Sequence, residues 1–203
     1  MAELTSVLAF ARAALPEPPA RVLEVGAGHG ELAAALARAG YDVLAIDPAG
    51  HVPEVLQVPL HEVHEPAASF DAAVAVLSLH HVEPLAESCR RLAELLRPGA
   101  PLVIDEFDVA RFDERAATWW LERRGVPGDP AQIVAEHRGH LHPVSRLRAE
   151  LSAWFSIGEP VPGPYLYRWD LPPGLREAEE ALIGAGGIPA CGARLVGRSE
   201  AQS

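Results

Sequence analysis

Three glycines occupy alternate positions, Gly26, Gly28 and Gly30, directly after the apolar run 21–25, and an acid, Glu24, sits inside that run. A second apolar run, "YDVLAID", ends in another acid, Asp47. Two histidines, His80 and His81, follow a third run, "FDAAVAVLSL", and Glu106 lies near the end of a fourth, "APLVIDEF". Glycines let backbone approach a ligand closely and allow positive φ. A carboxylate about 20 residues beyond such a loop can accept both hydroxyls of a ribose. An imidazole near its neutral pKa can take a proton from a hydroxyl, a phenol or a ring nitrogen.

The glycine register narrows the ligand. A dinucleotide loop reads G-x-G-x-x-G and sets a pyrophosphate on a helix N-terminus. Here the third glycine of that register would fall on Glu31, an acid that repels a pyrophosphate. The sequence instead reads E-x-G-x-G-x-G, which suits a ligand with a cationic end and no phosphate. S-adenosylmethionine has an ammonium, a sulfonium and a ribose with two free hydroxyls. Glu24 can place negative charge beneath the ammonium, directly or through water. The structural alternative is that Glu24 caps backbone N–H groups of the loop, and both roles can hold together.

The elements that position these residues follow from periodicity. Residues 2–15 have Leu4, Leu8, Ala11 and Leu15 on one helical face, and "PEPP" ends that helix. Strand one is 21–25, and helix 31–39 stops at Gly40. "YDVLAID" is strand two, "EVLQVPL" a weak third, "FDAAVAVLSL" a fourth and "APLVIDEF" a fifth. Between the last two, Pro84 opens a helix lined by Leu85, Cys89, Leu92 and Leu96. Strand–helix alternation with near-continuous apolar strands means a parallel sheet covered on both faces, with loops at the strands' carboxyl ends holding the ligand. From 108 to 152 the alternation gives way to helices, with Asp113, Asp129 and Ser145 as expected N-caps. "WFSIGEPVPGPYLYRW", helix 175–183 and "PACGARLVGR" resume it, and the last strand is expected to pair antiparallel at the sheet edge.

Four ordered blocks, "VLEVGAGHG", "VLAIDP", "FDAAVAVLSLHHVE" and "LRPGAPLVIDEF", make the chain resemble class I S-adenosylmethionine-dependent methyltransferases of the small-molecule type, similar to those of ubiquinone and menaquinone biosynthesis. The resemblance implies a Rossmann-like α/β fold with a seven-stranded, mostly parallel sheet of order 3-2-1-4-5-7-6, strand seven antiparallel and helices on both faces. It implies one domain over residues 1–203, with 108–152 a helical lid inserted after strand five. S-adenosyl-L-methionine is the implied cofactor. Its implied contacts are Glu24, Gly26, Ala27, Gly28 and Gly30 around the methionine part, Asp47 on the ribose, Pro48 and Leu60 near the adenine, and Leu77 and Ser78 from the other side. The segment 48–69 is shorter than the family pattern and lacks its adenine acid, so Leu60, His61 or Glu62 stands in that place.

Methyl transfer is an in-line displacement, so the acceptor must sit beside 77–81. His81, and after it His80, is the candidate base, and His81, Glu106, Trp119 and Trp120 are the candidate acceptor contacts. The plain alternatives are a histidine hydrogen-bonded to backbone, a solvated strand end for Glu106 and packing for the tryptophans. His137, His140 and His142 lack an acid or cysteine to complete a metal set, and Gly139 and Pro143 are expected to break their helix, so no metal is expected.

Composition sets the boundaries. The 203 residues carry 49% hydrophobic and 22% charged side chains, a globular balance. The net charge is −11, and every Lys/Arg position is arginine, scattered along the chain. That disfavours nucleic acid, as does "LSLH" where nucleobase amino-methylating enzymes carry a proline-rich motif. No run approaches a membrane span, and the first residues do not read as a signal peptide. Cys89 and Cys191 make no disulfide framework, so a reducing cytoplasm is expected. The expected activity is methyl transfer to a small-molecule acceptor. The alternatives are a methyltransferase-like binding protein without turnover and, on the similar sheet, a nicotinamide-dependent oxidoreductase. The oligomeric state and the acceptor are not legible.

Overall fold

The computed structural model describes residues 2–50 and 52–201. In chain order it contains α1 (Ala2–Ala14), β1 (Arg21–Val25), α2 (Glu31–Arg38), β2 (Asp42–Ile46), β3 (Val55–Leu56), β4 (Ala72–Val76), α3 (Leu85–Leu95) and β5 (Pro101–Phe107). There follow α4 (Glu114–Arg124), α5 (Pro130–His140), α6 (Val144–Leu151), β6 (Phe155–Ile157), β7 (Val161–Gly163), α7 (Arg176–Gly184) and β8 (Gly192–Ser199). Single 3-10 turns at Leu60–Glu62, Leu79–His81, Val109–Arg111 and Leu166–Arg168 close the loops after strands.

The sheet order is β3-β2-β1-β4-β5-β8-β6, with β7 also on β8. The first five strands are parallel, and β8 is antiparallel to β5, β6 and β7. This is the expected order, with the sixth position shared by two short strands. Gly158 and Pro160 interrupt that run, and Pro162 is tolerated because β7 lies on the sheet margin. The final strand does not lie at an edge: it is inserted between β5 and β6, where its small and apolar side chains are covered on both sides.

Alternation along the strands divides the core. In β1, Val22 joins Val74, Val103, Leu36 of α2 and Val7 of α1 on one face. Leu23 joins Ala73, Ile104, Leu92 of α3 and Leu147 of α6 on the other. Period two therefore turns Glu24 toward α1 and α2. The same alternation turns Asp105 toward α1, where Arg194 links it to Ser6, and Glu106 to the opposite side.

The 108–152 segment divides by packing. Val144, Leu147 and Leu151 of α6 join the sheet core beside α3. The residues Ala116, Trp119, Trp120 and Leu121 of α4 form a separate cluster with Phe107, Phe112, Tyr165 and Leu166. Asp113 and Asp129 cap α4 and α5, accepting from the Ala116 amide at 2.9 Å and the Ala131 amide at 3.0 Å, each worth about 1 kcal/mol. Ser145 does not cap α6, which begins at Val144 after an extended Pro143. Gly139 does not end α5, which runs to His140: one glycine in a last turn costs only about 1 kcal/mol. Among the described residues, no helix is long and apolar enough to cross a membrane.

Candidate active site

The loop from β1 to α2 is built by positive φ. Gly26, Gly28 and Gly30 have φ of 72°, 54° and 76°. The Gly26 and Ala27 amides both donate to the Ile46 carbonyl, at 2.8 and 3.0 Å, which folds the loop over the end of β2. A Cβ on Gly26 would lie 2.2 Å from Ser78 Cβ, so only glycine fits against β4's exit. Ser78 is fixed there by its Oγ donating to the Val25 carbonyl at 2.7 Å. Asp47, at the end of β2, accepts from the Gly28 amide at 2.9 Å and the Ala49 amide at 2.8 Å. One donor falls on each oxygen, which leaves lone pairs for a ligand's hydroxyls.

Two cavities meet at Gly26. The first, about 350 Å³, has Asp47 at one side and an apolar slot of Ile46, Pro48, Val58, Pro59 and Leu60, with Leu77, Ser78 and His81 opposite. The short 48–69 segment thus still makes a wall, because β3 and the 3-10 turn carrying Leu60 take the place of a full helix. The second, about 520 Å³, lies between α1 and α2 and is lined by Leu4, Val7, Ala27, Val76, Glu24 and Glu31, among others.

Glu24 is 4% exposed, and its Oε2 is buried with no hydrogen-bond partner. Burial pushes its carboxyl up to about 8, against the lowering effect of the Ala33 amide and with a further rise from Glu31. The Ala33 amide belongs to the first turn of α2 and favours the charged form, and Oε2 is left without a partner. An unpartnered buried oxygen costs about 1–3 kcal/mol or more unless a ligand meets it.

The turn after β4 hangs on Glu106. This side chain is fully buried, and Oε1 accepts from the Ser78 and Leu79 amides at 3.0 and 2.6 Å. Its Oε2 makes a short contact with His80 Nδ1. Glu106 therefore does not face an acceptor, correcting the expectation placed on it: both oxygens are spent holding the 78–81 turn. His80 is turned inward as well, 3% exposed, and is no longer placed to take a proton from an acceptor. His81 is the exposed one, on the rim of the first cavity. Partial burial, then its neighbour His80, lowers its pKa below the ordinary value; Glu106 opposes this, and His140 and His137 add to it. Leu77 takes φ 53°, a conformation costly for a branched side chain and of a kind concentrated at functional sites.

Trp119 and Trp120 also depart from expectation. They are 5% and 4% exposed and lie in the α4 cluster, and neither lines either cavity. Trp120 stacks on Trp169 at 4.3 Å and donates from Nε1 to the Trp169 carbonyl at 2.8 Å. The α5–α6 linker is tied to the turn at 79–82: the His142 amide donates to the His80 carbonyl at 3.0 Å, and its Nε2 lies 3.1 Å from the Val82 carbonyl. Among the described residues, no three His, Cys, Asp or Glu side chains group as metal ligands.

Two residues at the site were not anticipated. Arg168 lines the second cavity with its guanidinium on Asp105 at 3.1 Å, and Asp105 is shared with Arg194. Glu179 of α7 is fully buried and accepts from the amides of Tyr165, Leu166 and Tyr167 at 2.7–3.0 Å, which fixes the turn that delivers Arg168. Glu179 stands three and four residues before Leu182 and Ile183, so an acid within an apolar helical stripe was the available signal.

The parallel sheet closed by an antiparallel last strand, the glycine loop against β4 and the carboxylate ending β2 define a class, the class I S-adenosylmethionine-dependent methyltransferases. The chain belongs to the methyltransferase domain family, whose model matches residues 2–150. An uncharacterized methyltransferase of Mycobacterium tuberculosis is 35% identical over 98 residues, 43% of this chain and 40% of that protein. A ubiquinone biosynthesis O-methyltransferase of Xanthomonas campestris is 41% identical over 113 residues, 46% of this chain and 45% of that protein. The chain thus spans less than half the length of these curated relatives. Among solved structures, an S-adenosylmethionine dependent methyltransferase from Mesorhizobium loti superposes with a TM-score of 0.61 at 19% identity, covering 98% of both chains. The 1,6-didemethyltoxoflavin-N1-methyltransferase of Burkholderia thailandensis, solved with its substrate and S-adenosylhomocysteine, gives 0.59 at 20%, covering 98% of this chain and 78% of that one.

Proposed function

We propose that the protein transfers a methyl group from S-adenosyl-L-methionine to a small-molecule acceptor. The observation that carries this reading is the orphaned Glu24 oxygen, buried in one of two cavities that meet at Gly26, with Asp47 on the other. Such a pair of acids, one on each side of a glycine cradle, fits a ligand with a cationic tail and a ribose. When bound, the cofactor supplies an electrophilic methyl group on a sulfonium.

The residues divide the work accordingly. Asp47 receives the ribose hydroxyls; Pro48 and Leu60 enclose the adenine; Glu24, with Gly26, Ala27, Gly28 and Gly30, receives the amino-acid end. Leu77 and Ser78 hold the reacting centre from the β4 side. His81, kept neutral at physiological pH, takes the acceptor's proton where the acceptor carries one. Glu106 and His80 position that turn. Helices α4 and α5 of the 108–152 segment close over the acceptor side of a single domain, tied down through His142. Glu31 on the wall of the second cavity disfavours the pyrophosphate of a nicotinamide dinucleotide. Cys89 and Cys191 are buried free thiols, Cys89 pushed up to about 12, in keeping with a reducing cytoplasm.

Titration calorimetry with S-adenosylhomocysteine tests the reading. Micromolar binding that weakens at least tenfold, about 1.4 kcal/mol, in Asp47→Ala is expected. No binding to the wild type overturns it, and binding without methyl transfer to any acceptor favours the binding-protein alternative.

A further inference from the structure

We propose that Glu24 is a neutral carboxylic acid in the cofactor-free protein and is ionised by the ligand's ammonium, so that filling the second cavity releases one proton to solvent. The inference rests on the reading above and concerns how that site selects its ligand. Its basis is geometric. Glu24 lies on the face of β1 that alternation turns toward α1 and α2, is 4% exposed, and presents Oε2 without a partner. Among the described residues, the elements packed around it offer one cation, Arg168, and otherwise apolar groups and a second acid. From α1 come Leu4 and Val7, from β4 Val76, and from α2 Leu32 and a second acid, Glu31. Arg168 lines the same cavity from the turn after β7, with its guanidinium on Asp105. The Ala33 amide favours the charged form, yet burial and Glu31 outweigh it, and the carboxyl sits at about 8.

A carboxyl with that value is protonated in roughly nine molecules of ten at pH 7. An ammonium brought against Oε2 reverses the balance, because an opposite charge at contact favours the ionised form. The O–H bond of Glu24 breaks, its electron pair stays on the carboxylate, and the proton passes to buffer. Glu24 thereby accepts a cationic tail at the cost of a proton and gives a neutral or anionic tail nothing to replace it.

The experiment is calorimetry of S-adenosylhomocysteine at pH 7 in buffers of different ionisation enthalpy. The slope of observed enthalpy against buffer enthalpy counts the protons. About 0.9 proton released per ligand is expected. 5′-Methylthioadenosine keeps the nucleoside and thioether and lacks the amino acid, so it is expected to release none. This comparison needs no variant. In Glu24→Gln the S-adenosylhomocysteine signal loses its buffer dependence, and the wild-type gain in affinity, up to tenfold per pH unit below about pH 8, flattens. Binding with no proton released, equal release with 5′-methylthioadenosine, or release that persists in Glu24→Gln overturns the inference and leaves the cofactor reading standing. Failure of S-adenosylhomocysteine to bind overturns both.

Discussion

Replacing Gly26 and Gly28 by alanine separates space from backbone strain. Both glycines have positive φ, 72° and 54°, so both alanines pay about 1–2 kcal/mol for a left-handed conformation. Both regain about 0.4–1 kcal/mol from a stiffer unfolded chain. These effects cancel in the comparison. What remains is that the new Cβ meets Ser78 Cβ at 2.2 Å in Gly26→Ala and nothing within 4 Å in Gly28→Ala. Relieving the overlap means displacing Ser78, which is bonded to the Val25 carbonyl and lies on the turn held by Glu106. Overpacking costs about 1–3 kcal/mol, and the lost hydroxyl bond about 1 kcal/mol more. Gly26→Ala should therefore be about 2–4 kcal/mol less stable than Gly28→Ala. In a chain of this size that lowers Tm by roughly 5–15 °C. Differential scanning fluorimetry without ligand reads the gap, and S-adenosylhomocysteine affinity should fall more than tenfold in Gly26→Ala. Equal melting of the two variants within about 2 °C would refute the packing argument.

Glu106→Gln keeps an acceptor for the Ser78 and Leu79 amides and should cost about 1–2 kcal/mol in urea unfolding, whereas Glu106→Ala leaves three buried polar groups unpaired and should cost about 4 kcal/mol or more. Because Glu24 holds its proton in the folded state to about pH 8, its contribution to stability is complete below the ordinary carboxyl value and is lost as pH rises through 8. Glu24→Gln should therefore come within about 1 kcal/mol of the wild type near pH 5 and exceed it by about 4 kcal/mol at pH 8 in the cofactor-free protein, a gap that chemical denaturation at the two pH values measures. With His81 as the base, the kcat profile should lose activity only below its ordinary value of 6.5, since its pKa is lowered. His81→Gln should remove that limb and cut kcat by 10²–10⁴ while changing S-adenosylhomocysteine affinity little; an unchanged limb would move the proton transfer elsewhere.

The local grammar of the chain was enough for the frame. Apolar runs alternating with helical stripes specify a parallel sheet, because buried strands and amphipathic helices are patterns of neighbouring residues. Alternate glycines after β1, the acid ending β2, and aspartates before α4 and α5 state their roles within a few positions. The sheet order followed from the resemblance carried by four blocks. Where each side chain faces at the end of the sheet did not follow from these patterns. Glu106 and Ser78 are 28 residues apart, and only the pairing of β4 with β5 brings the carboxylate under the turn and away from the acceptor. For Trp119 and Trp120 the sequence favoured packing for at least one and left an acceptor contact open for the other; both are core because α4 packs on Phe107, Phe112 and Tyr165. Arg168 reaches the cavity because β7 pairs with β8 and Glu179 binds the turn between. Glu24 was visible as an acid in a buried strand, but its unpaired oxygen depends on α1, α2 and β4 closing around it with apolar groups and a second acid, while the guanidinium of Arg168 in the same cavity is held on Asp105. Sequence determined which elements form and where chemistry is concentrated; tertiary structure decided which of those groups are spent on one another and which are left for a ligand, because desolvation and hydrogen bonding depend on residues far apart in the chain.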